Sequence, residues 1–199
     1  VSNHPADHDI LAFWAWFASI ADALGADLTN AALLEALDAR VRRLGDLGWE
    51  LGPGSTAENA LALSPDGDRD LLPLTQHVVA MAPTVPRWVF LPARPARPAP
   101  FEFTLGDGPD GLAIDATSWR YVLYRFPDHT FDLVLEQANL ADATDDERYA
   151  AAVILLDALL GEEARLRRVR EVEPMVSLPP ELRMKASPIT VLAEHLAAL

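Results

Sequence analysis

The stretch WELGPGSTAENALALSPDGDRDLLPLTQHVVAMAPTVPRWVFL, residues 49–91, decides how the rest of the chain is read. Trp49-Glu50-Leu51 reads as a short strand, and Gly52-Pro53-Gly54-Ser55 supplies turn chemistry. Asn59 to Ser64 alternates, with Leu61 and Leu63 on one face, the two-residue period of a strand. Pro65-Asp66-Gly67-Asp68 turns the chain again. Asp70 to Met81 then carries Leu71, Leu74, Val78 and Met81 at helical spacing. Pro73 falls in the first turn, where its missing N–H does little harm. Pro83 ends the helix, and Arg87 to Leu91 reads as a third strand. The order is strand, strand, helix, strand.

The same order returns over residues 119–172. Trp119 to Phe126 and Phe131 to Glu136 are strands joined at Pro127-Asp128-His129. Thr144 to Gly161 is a helix, with Thr144 and Glu147 placed as a capping box. Its expected buried stripe is Tyr149, Ala152, Val153, Leu156 and Leu160. Arg167 to Val172 closes the unit as a strand. The match is one of elements, since residue identity between the two stretches is not apparent. Each unit is expected to form an antiparallel hairpin with one face covered by its helix.

Two helices precede the first unit. Asp9 to Leu24 sets Ile10, Phe13, Trp14, Phe17, Ala21 and Leu24 on one face, leaving Trp16 off it. Asn30 to Leu47 follows, with Thr29 as the expected N-cap. A hairpin, Phe101 to Leu105 and Leu112 to Asp115, precedes the second unit, and a helix capped by Ser187 follows it. The fold class is therefore α+β, with two ββαβ units in largely antiparallel sheet covered by helices. Residues 1–91 hold the helical pair and the first unit. Residues 92–100, LPARPARPAP without its first leucine, favour a stiff polyproline connector. Residues 101–199 hold the hairpin, the second unit and the last helix. One composite body or two separate layers would both satisfy this order.

Composition narrows the function classes. Half of the 199 residues are hydrophobic and 23% are charged, a globular balance that argues against disorder. With no cysteine, disulfide scaffolds, thiolate zinc sites and cysteine nucleophiles are excluded. The formal charge of −14 repels phosphate backbones, so no nucleic-acid partner is expected. Neither a signal peptide nor a membrane span is read from the sequence, and a cytoplasmic protein is expected. Arg165, Arg167, Arg168 and Arg170 form the one dense basic cluster and read as a solvated strand edge or as partners for local carboxylates.

No reactive constellation emerges. Asp66, Asp68 and Asp70 alternate as in a calcium loop, but glycine stands second rather than sixth and His77 occupies the place of the bidentate Glu. The five histidines are scattered and no HExxH pairing occurs, so neither metal nor cofactor is expected. Asp145-Asp146-Glu147 suits a helix N-terminus, whereas Glu162-Glu163 reads as a solvated pair at a helix end.

Several stretches form a recognisable set: Phe13-Trp14-Ala15-Trp16-Phe17, Trp49-Glu50-Leu51-Gly52-Pro53-Gly54 followed by Asn59 to Ser64, Ala82-Pro83 before Arg87-Trp88, and Leu155 to Glu162. Together they resemble an uncharacterised family of bacterial cytoplasmic proteins of similar size. The resemblance implies a bacterial cytoplasmic setting and no particular activity.

The leading expectation is a non-enzymatic protein-binding, adaptor or immunity/regulatory protein, because acidic surfaces capture basic partners. The alternative is an enzyme or small-molecule sensor with a cleft between the two units. A homodimer through an exposed strand edge is a third reading. The candidate surface residues are Trp16, Glu50, Asn59, His77 and Arg120, with no catalytic residue assigned.

Overall fold

A computed structural model describes residues 5–98, 101–106 and 111–198. The last two residues of the proline-rich connector and most of the 106–111 hairpin loop lie outside the described residues. The chain is α+β and divides into two compact units, Val1–Pro95 and Ala96–Leu199.

In the first unit α1 (Asp7–Ala26) and α2 (Ala31–Leu44) precede β1 (Gly48–Pro53), β2 (Asn59–Ser64), a 3-10 turn (Arg69–Leu71), α3 (Leu72–Ala80) and β3 (Trp88–Leu91). By length and composition α1 could cross a membrane. Here its apolar face of Ile10, Phe13, Trp14, Phe17, Ala21 and Leu24 is buried in the first core. Two indoles tie that helix in place. Trp14 Nε1 donates to the Val78 carbonyl at 2.8 Å, and Trp88 Nε1 donates to the Ala21 carbonyl at 3.1 Å. Both rings therefore bury their area without stranding a donor.

The N-cap of α2 is Asn30, whose side chain accepts from the Leu33 amide at 3.2 Å. The expected cap, Thr29, is occupied elsewhere: its amide and hydroxyl both donate to Asp27 Oδ1, at 2.9 and 2.7 Å.

The second unit runs β4 (Glu102–Leu105), β5 (Leu112–Asp115), β6 (Arg120–Arg125), β7 (Phe131–Glu136), α4 (Asp145–Leu160), α5 (Glu162–Arg168), β8 (Val169–Met175), α6 (Pro180–Arg183), β9 (Ser187–Pro188) and α7 (Leu192–Ala197). Its four-stranded sheet has the order β8-β7-β6-β9. Tyr121, Leu123, Phe131, Leu133, Leu135, Val169 and Val172 gather in its main core with Leu155 and Leu156 of α4. The capping box at Thr144 and Glu147 forms, with the Thr144 amide 2.7 Å from Glu147 Oε2 and the Glu147 amide 3.2 Å from Thr144 Oγ1.

The strand-strand-helix-strand order occurs in both units, where the expected antiparallel hairpin is joined by one parallel pair. β1 and β2 are antiparallel while β2 and β3 are parallel. β6 and β7 are antiparallel while β7 and β8 are parallel. A helix between two strands carries the chain back to the end where it started, so the closing strand runs parallel to its neighbour.

Three other expectations change. The basic cluster partners local carboxylates rather than forming a strand edge: Arg165, Arg167 and Arg168 lie on α5, where Arg165 pairs with Asp157 and Arg167 with Glu163, and only Arg170 lies on β8. Glu162 and Glu163 open α5, where acids suit the dipole, and Glu162 is fully buried rather than solvated. The buried residues of α4 are Ala151, Ala152, Leu155, Leu156 and Ala158, whereas Tyr149 is half exposed. The arc is turned because α4 packs on β8 and also against α7.

Gly161 lets α4 stop and α5 start at once. Its φ of 80° lies in the left-handed half of the map, which a side chain strongly disfavours. Gly161→Ala should lower stability by about 1–3 kcal/mol in urea denaturation. An unchanged midpoint would show that the junction tolerates another conformation.

Candidate functional site

Alternation along the strands of the second sheet sends one set of side chains into the main core and the other to the opposite face. The strand register places three rows on that outer face. Arg120, Glu136 and Met175 form one, Val122, Val134 and Glu173 the next, and Tyr124, Asp132 and Glu171 the last.

The segment between β8 and β9, residues 176–186, folds over part of this face like a flap. Leu178 and Ala186 bury themselves on Val122 and Val134, with Leu182 and Met175 packed alongside. Polar groups fasten it. Glu136 Oε1 accepts from the Leu178 amide at 3.0 Å and from Arg183 Nη2 at 2.6 Å. Arg120 Nη2 donates to the Ala186 carbonyl at 2.6 Å. Burial alone would raise the Glu136 carboxyl. The Leu178 amide, the Arg183 guanidinium and the charge of Arg120 outweigh it and hold the pKa below its ordinary value.

Beside the flap the outer face forms a groove of about 480 Å³. Leu182 and Val134 give it apolar wall and floor, Tyr124 lies 43% exposed within it, and Asp132, Glu171 and Glu173 supply three carboxylates. Asp132 Oδ1 is buried and accepts no hydrogen bond. Among the described residues, neither Glu171 nor Glu173 enters an ion pair. Arg125 also lines the groove, but its Nη2 bonds His129 Nδ1 at 2.9 Å. The neighbouring Arg170 stacks on Phe126, 4.3 Å from the ring centroid. The lining thus holds three carboxylates against one guanidinium.

The first unit has a cleft of about 450 Å³ around Asp38, Arg42, Trp49, Asp66, Asp68 and Arg94. Its polar groups satisfy one another. Asp38 accepts from Trp49 Nε1 at 3.2 Å and Arg42 Nε at 2.8 Å. Asp66 accepts from Arg94 Nη2 at 3.0 Å, and Asp68 accepts from the Asp70 amide at 2.8 Å. The alternating acids considered as a calcium loop are thus used in an ion pair and a turn. Among the described residues no group of three or more His, Asp or Glu gathers where it could hold a metal ion.

The five residues singled out from sequence stand in separate settings. Trp16 is half-buried at the margin of the first core, with the Arg40 guanidinium 4.1 Å from its ring centroid. Glu50 lies 3.9 Å from Arg94 beside the first-unit cleft. Asn59 is buried at the start of β2, with its Nδ2 unpaired; a Cβ on Gly25 would come within 3.0 Å of that nitrogen. His77 is exposed and its Nε2 lies 3.0 Å from Asp7 Oδ1. Arg120 fastens the flap that borders the second-unit groove. Sequence reading missed the groove's own residues, Tyr124, Asp132, Glu171 and Glu173. The signal was their shared outward parity on three strands, visible only once the register is known.

Folding lowers the Glu136 pKa, so its contribution to flap docking is complete above the ordinary value of 4.5. That contribution is lost as pH falls through the lower folded value. Hydrogen exchange at the Leu178 amide should accelerate on acidification relative to core amides of β7, and Glu136→Gln should abolish that difference. Identical pH profiles for the wild type and variant would show that Glu136 does not hold the flap.

Comparison with protein-family models, with curated proteins and with solved structures finds no match to this chain.

Proposed function

We propose that this chain is a non-enzymatic binding protein, an adaptor or regulator, that holds basic side chains of a partner protein in the second-unit groove. The observation that carries the reading is Asp132 Oδ1, a carboxylate oxygen shut from water without a donor, beside two unpaired glutamates and an exposed tyrosine. Asp132 is only partly buried, but its Oδ1 meets no donor, so a cation arriving at this carboxylate gains a charge-assisted pairing. Tyr124 offers a ring face to the same cation, and Leu182 offers apolar contact to its aliphatic stem. The overall charge of −14 adds long-range attraction for basic partners.

The groove suits a foreign partner better than a second copy of the chain. β8 is the edge strand here, and it carries Glu171, Glu173 and Pro174. Edge charges and a proline disfavour strand-to-strand self-pairing, and a twofold contact would bring like carboxylates together. The first-unit cleft offers volume but little unspent polarity to a small molecule, since its charged groups are already engaged with each other.

Titration of the whole chain with an arginine-rich peptide, followed by fluorescence anisotropy, tests the assignment. The Asp132→Asn, Glu171→Gln double variant should weaken binding about tenfold or more, and binding should fall as salt rises. Asp38→Asn with Asp66→Asn, in the first-unit cleft, should leave it within about twofold, because that cleft is not the binding site. The reverse pattern would move the function to the first unit.

A further inference from the structure

Resting on that reading, we propose that the groove recognises spacing: its ligand is an extended segment of a partner protein with an arginine at one position and a second basic residue two positions away.

The spacing comes from the strands. Glu171 and Glu173 lie two apart on β8 and therefore share a face, separated by about 6.7 Å at the strand rise of 3.3–3.4 Å per residue. An extended segment lying along β8 has the same period, so side chains at i and i+2 both meet carboxylates while i+1 points to water. A helical segment presents its neighbours at i+3 and i+4 on a curved surface and follows a straight strand poorly.

The two ends of the groove differ. Asp132 pairs in register with Glu171 on the adjacent strand, about 4.8 Å away across the sheet. One cation therefore meets two carboxylates, next to Tyr124, which stands opposite Asp132 on β6. A planar guanidinium fits this end, because it can bond both acids and stack on the ring. The other cation meets Glu173 alone, and either lysine or arginine serves there. The segment lies on the sheet face rather than extending the edge, because the apolar wall is Leu182 of the flap, which packs on that face, and because Pro174 interrupts donors along the edge.

The probes are labelled peptides of one composition, with two arginines in a serine-threonine background spaced i,i+2, i,i+3 or i,i+1, measured against the whole chain. The i,i+2 peptide should bind about tenfold tighter than the other two. Glu173→Gln, an exposed substitution that leaves the core untouched, should reduce that preference to near unity. Changing one arginine of the i,i+2 peptide to lysine should cost more at one position than at the other, and Asp132→Asn should erase that asymmetry. Equal binding of all three spacings, still weakened by the groove variants, would overturn the spacing rule and leave the groove as a general basic site. Failure of every peptide to bind would overturn both the spacing rule and the groove assignment.

Discussion

Glu136 stands at the end of β7 on the outer face of the second sheet, almost removed from water. A lone carboxylate there would be costly. The donors that compensate it come from the residues after β8, namely the Leu178 amide and the Arg183 guanidinium. A hydrogen bond to an ion contributes about 1.5–3 kcal/mol, more than a neutral one. The flap is therefore held over the rows that contain Glu136 and Val134. The row of Tyr124, Asp132 and Glu171 lies beside it, with Leu182 at the border. Asp132 occupies the same strand and the same face as Glu136, four residues earlier, yet its Oδ1 has no donor. One carboxylate is compensated from within the chain and the other is left for a partner, which is the physical basis of the functional assignment.

The ββαβ arrangement creates this opportunity in a defined way. The helix between the second and third strands covers one face of the sheet and fills it with Leu155 and Leu156. The parallel strand that follows has to be covered on its other face by something else, because alternation turns half of its side chains outward. In the second unit the flap supplies part of that cover. Val122 and Val134 take it, and the exposed Glu171 and Glu173 need none to remain solvated. An outer face half apolar and half acidic is thus the result of a sheet with one complete helical cover and one incomplete cover.

Elements governed by local chemistry were legible in the sequence. The bounds of β2 and β7 and the Thr144 capping box follow from alternation and capping. What escaped depended on distant partners. Thr29 was displaced as N-cap by Asn30 because Asp27 engages it. The helix Glu162–Arg168 was missed because Gly161, a natural stop signal, here joins two helices through a positive φ. Spacing on a single face turns Tyr149 inward, whereas α4 packs against β8, α5, α7 and β4. The groove was invisible for the same reason. Tyr124, Asp132 and Glu171 are separated along the chain and become neighbours only through the β6-β7-β8 register. Arg120, singled out from its place on a strand, fastens the flap through the Ala186 carbonyl.

The central claim is that the uncompensated acids of the outer face, rather than the self-paired cleft of the first unit, receive a basic partner. Amide-resolved NMR titration with the i,i+2 arginine peptide tests it most directly. The account predicts that the largest shifts fall on Tyr124, Asp132, Glu171 and Glu173, with Leu182 following. Shifts centred instead on Asp38, Trp49 and Asp66, with the second sheet unmoved, would contradict it.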